Sequence, residues 1–287
     1  MQGTGVPVVT PFEADGSVDE EALGEVVSWL EDRGVDFLVP CGSTGEAPLL
    51  GNEEAARVIE VVADAAEGPV LAGTGRESYV ETRRATERAA SAGADAALVV
   101  TPSYYSIDEE TLEAYYLELA DESPIPIYLY SVPKFTGVTI APETVGAVAG
   151  HPNVAGIKDS AGELAPFQRT RGLAEGIDVL VGHGGVYAPA LDAGADGGIL
   201  AVGNVAPEIS SEIYERHSEG DDEGARELNR RLLELNEAVT ARYGVAGAKA
   251  AMGLRGVSAG NARRPLRGID DGAEEELRAL LADLELL

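Results

Sequence analysis

Cysteine is almost missing from this chain. Cys41 is the only one in 287 residues, so no intramolecular disulfide can form. Histidine is nearly as scarce: His151, His183 and His217 form no cluster with each other or with the cysteine. Cys-x-x-Cys, His-Glu-x-x-His and EF-hand spacings are all absent, so no metal site is expected. Hydrophobic residues make up 45% of the chain, yet no run of about 20 apolar residues occurs, and no membrane-spanning helix is expected. The first residues lack a basic stretch followed by an apolar one, which argues against a secretory signal and for a cytoplasmic protein. Gly73-Thr74-Gly75 lacks the third, helix-opening glycine of a dinucleotide fingerprint and reads as a tight strand-to-helix turn.

Positive charge is also in short supply. Fifty acidic residues face 21 basic ones, for a formal net charge of −29. A surface of that sign repels nucleic acid and anionic membranes, so neither is expected as a partner. The acidic residues are spread over many segments, and only three of the basic residues are lysines. Together these features point to a salt-adapted protein, because screening at about 1 M salt cuts the range of self-repulsion to about 3 Å. An ordinary acidic enzyme is the alternative.

What the chain does contain is a repeated phrase. An alanine-rich amphipathic stretch ends in glycine and an apolar strand follows, as at Glu31-Asp32-Arg33-Gly34, Ala65-Ala66-Glu67-Gly68, Ala90-Ser91-Ala92-Gly93, Ala174-Glu175-Gly176 and Asp192-Ala193-Gly194. Glycine just past a helix takes the left-handed conformation that other residues avoid. Leu23, Val26, Val27 and Leu30 mark one helical stripe, and Ala55, Val58, Ile59, Val62 and Ala66 another. Near-continuous apolar runs at 5–9, 37–40, 70–72, 96–100, 127–130, 154–158, 179–181 and 198–201 read as strands of a parallel sheet buried on both faces. Eight such units predict an α/β fold, a (β/α)8 TIM barrel over residues 1–206, with an open doubly wound sheet as the alternative. From residue 207 the strands stop. Helices are predicted over 208–218, 222–243, 246–254 and 273–286, a C-terminal extension (207–287) packed on the barrel within one domain.

Among so few lysines, Lys158 stands out at the end of the apolar run Val154-Ala155-Gly156-Ile157-Lys158. Burial disfavours an ammonium, and a desolvated amine can attack a carbonyl to form a Schiff base. Pairing with Asp159 at a strand end is the plainer reading, and the strand alone does not separate the two. Two other marked segments fall at strand ends, where such barrels carry their active sites. Cys41-Gly42-Ser43-Thr44-Gly45-Glu46 offers hydroxyls and free N–H groups suited to a carboxylate, or else a helix N-cap. Tyr130 ends the fifth strand, where a phenol can carry protons or simply pack.

Taken together, Gly42-Ser43-Thr44-Gly45-Glu46, Tyr130-x-x-Pro133 with Thr136-Gly137, and Gly156-Ile157-Lys158-Asp159 resemble the dihydrodipicolinate synthase/N-acetylneuraminate lyase superfamily of class I aldolases. The opening Val6-Pro7-Val8-Val9-Thr10-Pro11-Phe12 and the later Arg264-Pro265-Leu266 are similar to the same family, so the likeness runs nearly end to end. The resemblance implies that Lys158 forms a Schiff base with pyruvate or another 2-oxo acid, with no external cofactor. It implies that Tyr130 shuttles protons, that Gly42, Ser43 and Thr44 bind the carboxylate, and that Thr44 links Tyr130 towards solvent. Tyr104, or Tyr105 beside it, would be lent to a neighbouring subunit's site. Gly182 and Ile199 would line the pocket near Lys158. A homotetramer built as a dimer of dimers is implied as well.

One position departs from the pattern. Members making dihydrodipicolinate usually carry an arginine two residues after the proline of the tyrosine segment, where it holds the aldehyde's carboxylate. Here that place is Phe135, and a planar charged fork is not replaced by an aromatic ring without consequence. The segment Pro133-Lys134-Phe135-Thr136-Gly137 is closer to archaeal 2-keto-3-deoxygluconate aldolases. Lys134 could meet a phosphate or carboxylate at the rim, or be a solvated loop lysine. The expected activity is therefore cleavage of 2-keto-3-deoxygluconate, or its 6-phosphate, to pyruvate and glyceraldehyde or its 3-phosphate. Dihydrodipicolinate synthase is the alternative, followed by N-acetylneuraminate lyase and a related dehydratase or hydratase. A catalytically silent barrel acting as a binding protein is the alternative of another class.

Overall fold

Eight short strands form one parallel sheet: Gly3–Val6 (β1), Phe37–Leu38 (β2), Leu71–Gly73 (β3), Ala96–Val100 (β4), Ile127–Ser131 (β5), Val154–Asp159 (β6), Asp178–Val181 (β7) and Gly197–Ile199 (β8). They are read from a computed structural model that describes all 287 residues. Their order is β2-β1-β8-β7-β6-β5-β4-β3. The two outer strands of that order meet through a parallel bridge between Leu38 and Val70, and the Gly73 N–H donates to the Pro40 carbonyl at 2.9 Å. The sheet is thus a barrel and not an open doubly wound sheet.

The strands fall where the apolar runs predict them, with shifted ends. The first was expected over 5–9 and is Gly3–Val6, because Pro7 has no N–H to continue the ladder. The second was expected over 37–40 and keeps regular pairing only at Phe37–Leu38, after which Pro40 and a left-handed Cys41 (φ 56°) turn the chain into a loop. Of the five glycines expected to end helices in the left-handed region, Gly34, Gly93, Gly176 and Gly194 do so. Gly68 does not, and its N–H is instead taken by the Glu31 carboxylate at 2.9 Å.

Side chains alternate across each strand and build two cores. Leu129, Ile157 and Val179 face outward into a core shared with the helices. Phe37, Leu71, Leu98, Tyr128, Tyr130, Leu180 and Ile199 face inward and fill the barrel. At the N-terminal end of the barrel the Tyr128 hydroxyl donates to Asp178, and the Met1 amine donates to both. The interior is packed at that end, and the chemistry is left to the other.

The surrounding helices include Glu20–Glu31 (α1), Asn52–Ala65 (α2), Tyr79–Ser91 (α3), Glu109–Glu122 (α4), a single turn at Pro133–Thr136 (α5), Pro142–Val148 (α6), Leu164–Leu173 (α7) and Tyr187–Asp192 (α8). α1 shows the rule: Asp19 caps it by accepting the Ala22 N–H at 3.0 Å, two glutamates occupy its first turn, and Leu23, Val26, Val27 and Leu30 are buried. Pro207–Ser218 (α9) packs against β1 and α8 and completes the ring after β8. The helices outside the ring are Asp222–Glu237 (α10), Gly244–Leu254 (α11) and Asp271–Asp283 (α12). The helix expected over 222–243 widens into a π turn at Ala238–Arg242, where the Thr240 hydroxyl bonds back to the Asn236 carbonyl at 2.6 Å. No helix is long and apolar enough to cross a membrane.

Candidate active site

Because all eight strands are parallel, their C-terminal ends open on one mouth, and Lys158, Tyr130 and the Gly42–Glu46 segment lie at or just past strand ends on that side. Lys158 is the fifth residue of β6 and is only 5% exposed. It pairs in register with Tyr130 on β5 and with Leu180 on β7, and alternation turns all three inward. The Lys158 amine lies 4.4 Å from the centre of the Tyr130 ring, within range of a cation–π contact. The plainer reading of Lys158 fails on the same alternation. Asp159 points away, accepts the Ala161 N–H at 2.8 Å, and forms no ion pair with the lysine. Burial raises the Asp159 carboxyl above its ordinary pKa, and it sits beside an outer cleft with Gly162, Phe167 and Val181.

Two of the expected lining residues belong to the same interior. Ile199, fully buried, shares the inner core with Tyr130. Gly182 follows β7, and a β-carbon there would lie 2.8 Å from Cε of Lys158 and 1.9 Å from Oγ of Ser160. Only glycine leaves room for the lysine to pass. Ser160 was not anticipated. Its hydroxyl is buried and has no hydrogen-bond partner, which is costly unless a ligand meets it. The signal was present: Ser160 is two residues past Lys158, the period that returns a strand to the same face.

Ser43 and Thr44 are half-buried in the turn after β2, and Gly42 is buried. Neither hydroxyl caps a helix. The short turn that follows, Ala47–Leu49, has Glu46 at its N-cap, and no side chain there caps the turn's own N–H groups. The hydroxyls stay uncommitted, and no direct hydrogen bond joins Thr44 to Tyr130. Tyr104 and Tyr105 leave the loop after β4 as an edge-to-face pair, 80% and 78% exposed. Glu77 ties that loop down by accepting the Ser103 and Tyr104 N–H groups, each at 3.0 Å. Lys134 is exposed, and its amine donates to the Thr240 carbonyl in the π turn at 2.9 Å. It is engaged at the seam between barrel and extension and makes no contact with Lys158. Phe135, beside it, is 66% exposed.

An inward amine over a phenol ring, an idle buried hydroxyl and a hydroxyl-bearing turn at one mouth suit carbonyl chemistry. Residues 1–284 match the family described as the dihydrodipicolinate synthetase family. The chain is 40% identical over 289 residues to an uncharacterized DapA-like lyase of Halobacterium salinarum, covering 100% of this chain and 95% of that protein. It is 37% identical over 286 residues to a 4-hydroxy-tetrahydrodipicolinate synthase of Methanothrix thermoacetophila, covering 99% and 97%. Among solved structures it is similar to the chloride-inhibited dihydrodipicolinate synthase of Acinetobacter baumannii complexed with pyruvate, with TM-score 0.95, 33% identity and coverage of 100% and 99%.

Proposed function

The chain belongs to the dihydrodipicolinate synthetase family of lyases, and from that premise we propose that it is a pyruvate-dependent class I aldolase with Lys158 as its nucleophile. Enzymes of this family work through a pyruvate Schiff base on lysine without an external cofactor, and a neighbouring fold binds pyruvate. The observation that carries the reading is the buried Lys158 amine 4.4 Å from the Tyr130 ring centre at the barrel mouth. The amine adds to C2 of the 2-oxo acid and water leaves, giving a protonated imine. As the C3–C4 bond breaks, that imine takes up the electron pair and the aldehyde departs. The resulting enamine is protonated at C3, and water then releases pyruvate from the lysine. Tyr130 carries protons in these steps. Ser43, Thr44 and the Gly42 turn hold the carboxylate, and Ser160 is free to meet a substrate oxygen.

For the aldehyde half, Phe135 supports 2-keto-3-deoxygluconate or its 6-phosphate as substrate, since no guanidinium stands at that place for a second carboxylate. The names of relatives such as the Methanothrix protein favour the second reading, a 4-hydroxy-tetrahydrodipicolinate synthase acting on pyruvate and aspartate semialdehyde. The exposed Tyr104–Tyr105 pair supports a homotetramer in which a tyrosine reaches a neighbouring subunit's site. The net charge of −29 supports a salt-adapted enzyme.

The test is to incubate the protein with pyruvate and borohydride in concentrated salt and locate the added mass by peptide mapping. Modification confined to Lys158, lost in Lys158→Ala, is expected. A protein that stays unmodified is the silent barrel. An aldehyde panel containing glyceraldehyde, glyceraldehyde 3-phosphate and aspartate semialdehyde then separates the two substrate readings.

A further inference from the structure

A charged pair that takes no part in the proposed chemistry holds the Ser43–Thr44 turn from behind. The turn is bounded by Cys41 and Glu46, and both are non-glycine residues in the left-handed region, at φ 56° and 57°. Such a conformation persists only when its surroundings over-determine it. Here those surroundings are specific. The Lys249 amine, on α11, donates to Oε1 of Glu46 at 2.6 Å, with side chains 2% and 1% exposed. It also donates to the Thr10 carbonyl at 2.6 Å and the Asn261 carbonyl at 2.7 Å, so all three N–H groups are used. The other Glu46 oxygen accepts the Arg263 N–H at 2.8 Å. Thr10 closes the circuit by donating from its hydroxyl to the Gly45 carbonyl at 2.7 Å.

Stability alone is a poor account of this arrangement, because a buried ion pair often does no better than well-packed apolar side chains of the same volume. What it supplies is direction. Five hydrogen bonds, which join one amine and one carboxylate to three backbone carbonyls, a backbone N–H and a hydroxyl, fix the end of the turn to α11 and the segment after it. We propose that Glu46 and Lys249 are positioning residues that set Ser43 and Thr44 for the carboxylate of the 2-oxo acid, so that the helical extension outside the barrel governs substrate affinity. This rests on reading the Ser43–Thr44 turn as the carboxylate site.

The experiment measures borohydride trapping at Lys158 against pyruvate concentration for the wild type, Glu46→Gln, Lys249→Met and the double variant, with thermal unfolding followed in parallel. Glu46→Gln keeps shape and one acceptor, and it guards against simple failure to fold. Each folded single variant is expected to raise the half-saturating pyruvate about tenfold, the worth of one charge-assisted hydrogen bond. The maximal trapping rate should stay within about twofold, which loss of stability alone would not arrange. The double variant should be no worse than the worse single variant, because the two residues act as a unit. Unchanged half-saturation, a fall confined to the maximal rate, or loss of the fold in both single variants overturns the proposal. A wild type that pyruvate does not modify overturns the Schiff-base reading and this inference with it, whereas a modified wild type with unaltered variants overturns the inference alone.

Discussion

Lys158 and Tyr130 are register partners across β6 and β5, and the lysine amine stands over the tyrosine ring at 4.4 Å from its centre. The ring and the hydroxyl therefore have separable duties. Tyr130→Phe keeps the aromatic face beneath the amine and removes only the proton carrier. Pyruvate should still be trapped on Lys158, though more slowly, while steady-state cleavage slows about 10²–10⁴-fold. Turnover near the wild-type rate would remove Tyr130 from proton transfer.

Gly182 is the tightest point of the site. In Gly182→Ala the new methyl would lie 1.9 Å from Ser160 Oγ and 2.8 Å from Lys158 Cε, distances that force movement. Both neighbours are side-chain ends, so the fold should survive with a loss of about 1–3 kcal/mol from overpacking. The displaced amine should lower kcat by at least about tenfold. Adding Ser160→Ala relieves the 1.9 Å contact and leaves the one at Lys158, so little activity should return. Full recovery in the double variant would mean that the lysine is not what Gly182 accommodates.

The barrel was legible because parallel strands buried on both faces leave an apolar run for each strand, and because glycine closes four of the repeated helices in the left-handed region. Lys158 and Tyr130 stood out as candidates for a related reason: a polar group ending an apolar run is conspicuous. What the sequence hid were relationships between distant segments. Lys249 is as rare a lysine as Lys158, but its partner Glu46 lies 203 residues away, and nothing local announces it. The π turn at Ala238–Arg242 was hidden because its helical periodicity continues unbroken through the sequence. Lys134 read as either a rim residue or a solvated loop lysine, since no local signal shows that it reaches Thr240.

Phe135 is the position at which the two substrate readings part. It is 66% exposed, so an arginine there meets no packing barrier. Phe135→Arg should raise kcat/KM for aspartate semialdehyde relative to glyceraldehyde by about tenfold, the worth of one ion-assisted contact. Equal ratios in both proteins would show that this place does not select the aldehyde.

Cys41 should be inert in the folded enzyme. Burial pushes its thiol from 9.0 to about 12, with nearby Arg76 only partly offsetting the effect, and the residue is 3% exposed. The thiolate is the reactive form, and raising the pKa lowers its fraction at any fixed pH. At pH 8 that fraction is about one in 10⁴, and each added pH unit multiplies it about tenfold. Iodoacetamide at pH 8 should leave Cys41 intact until the chain is unfolded, as mass spectrometry would register. Prompt alkylation of the native enzyme would show that the mouth opens to solvent behind the Ser43–Thr44 turn.

Charge sets the last prediction. Exposed pairs such as Arg57–Glu20, at 2.7 Å and about half accessible, contribute little each, and 50 acidic residues outnumber 21 basic ones. Removing salt strengthens those few attractions, but it strengthens many more repulsions between unmatched carboxylates. The Debye length grows from about 3 Å at 1 M to about 10 Å at 0.1 M, so charges on neighbouring helices begin to sense one another. Thermal unfolding should therefore shift upward as potassium chloride is raised from 0.1 M, with most of the gain complete by about 1 M if screening is the cause. A gain that arises only above that range would point instead to exclusion of ions from the protein surface. A midpoint independent of salt would mean that the acidic surface is not under self-repulsion and that the salt-adapted reading is mistaken.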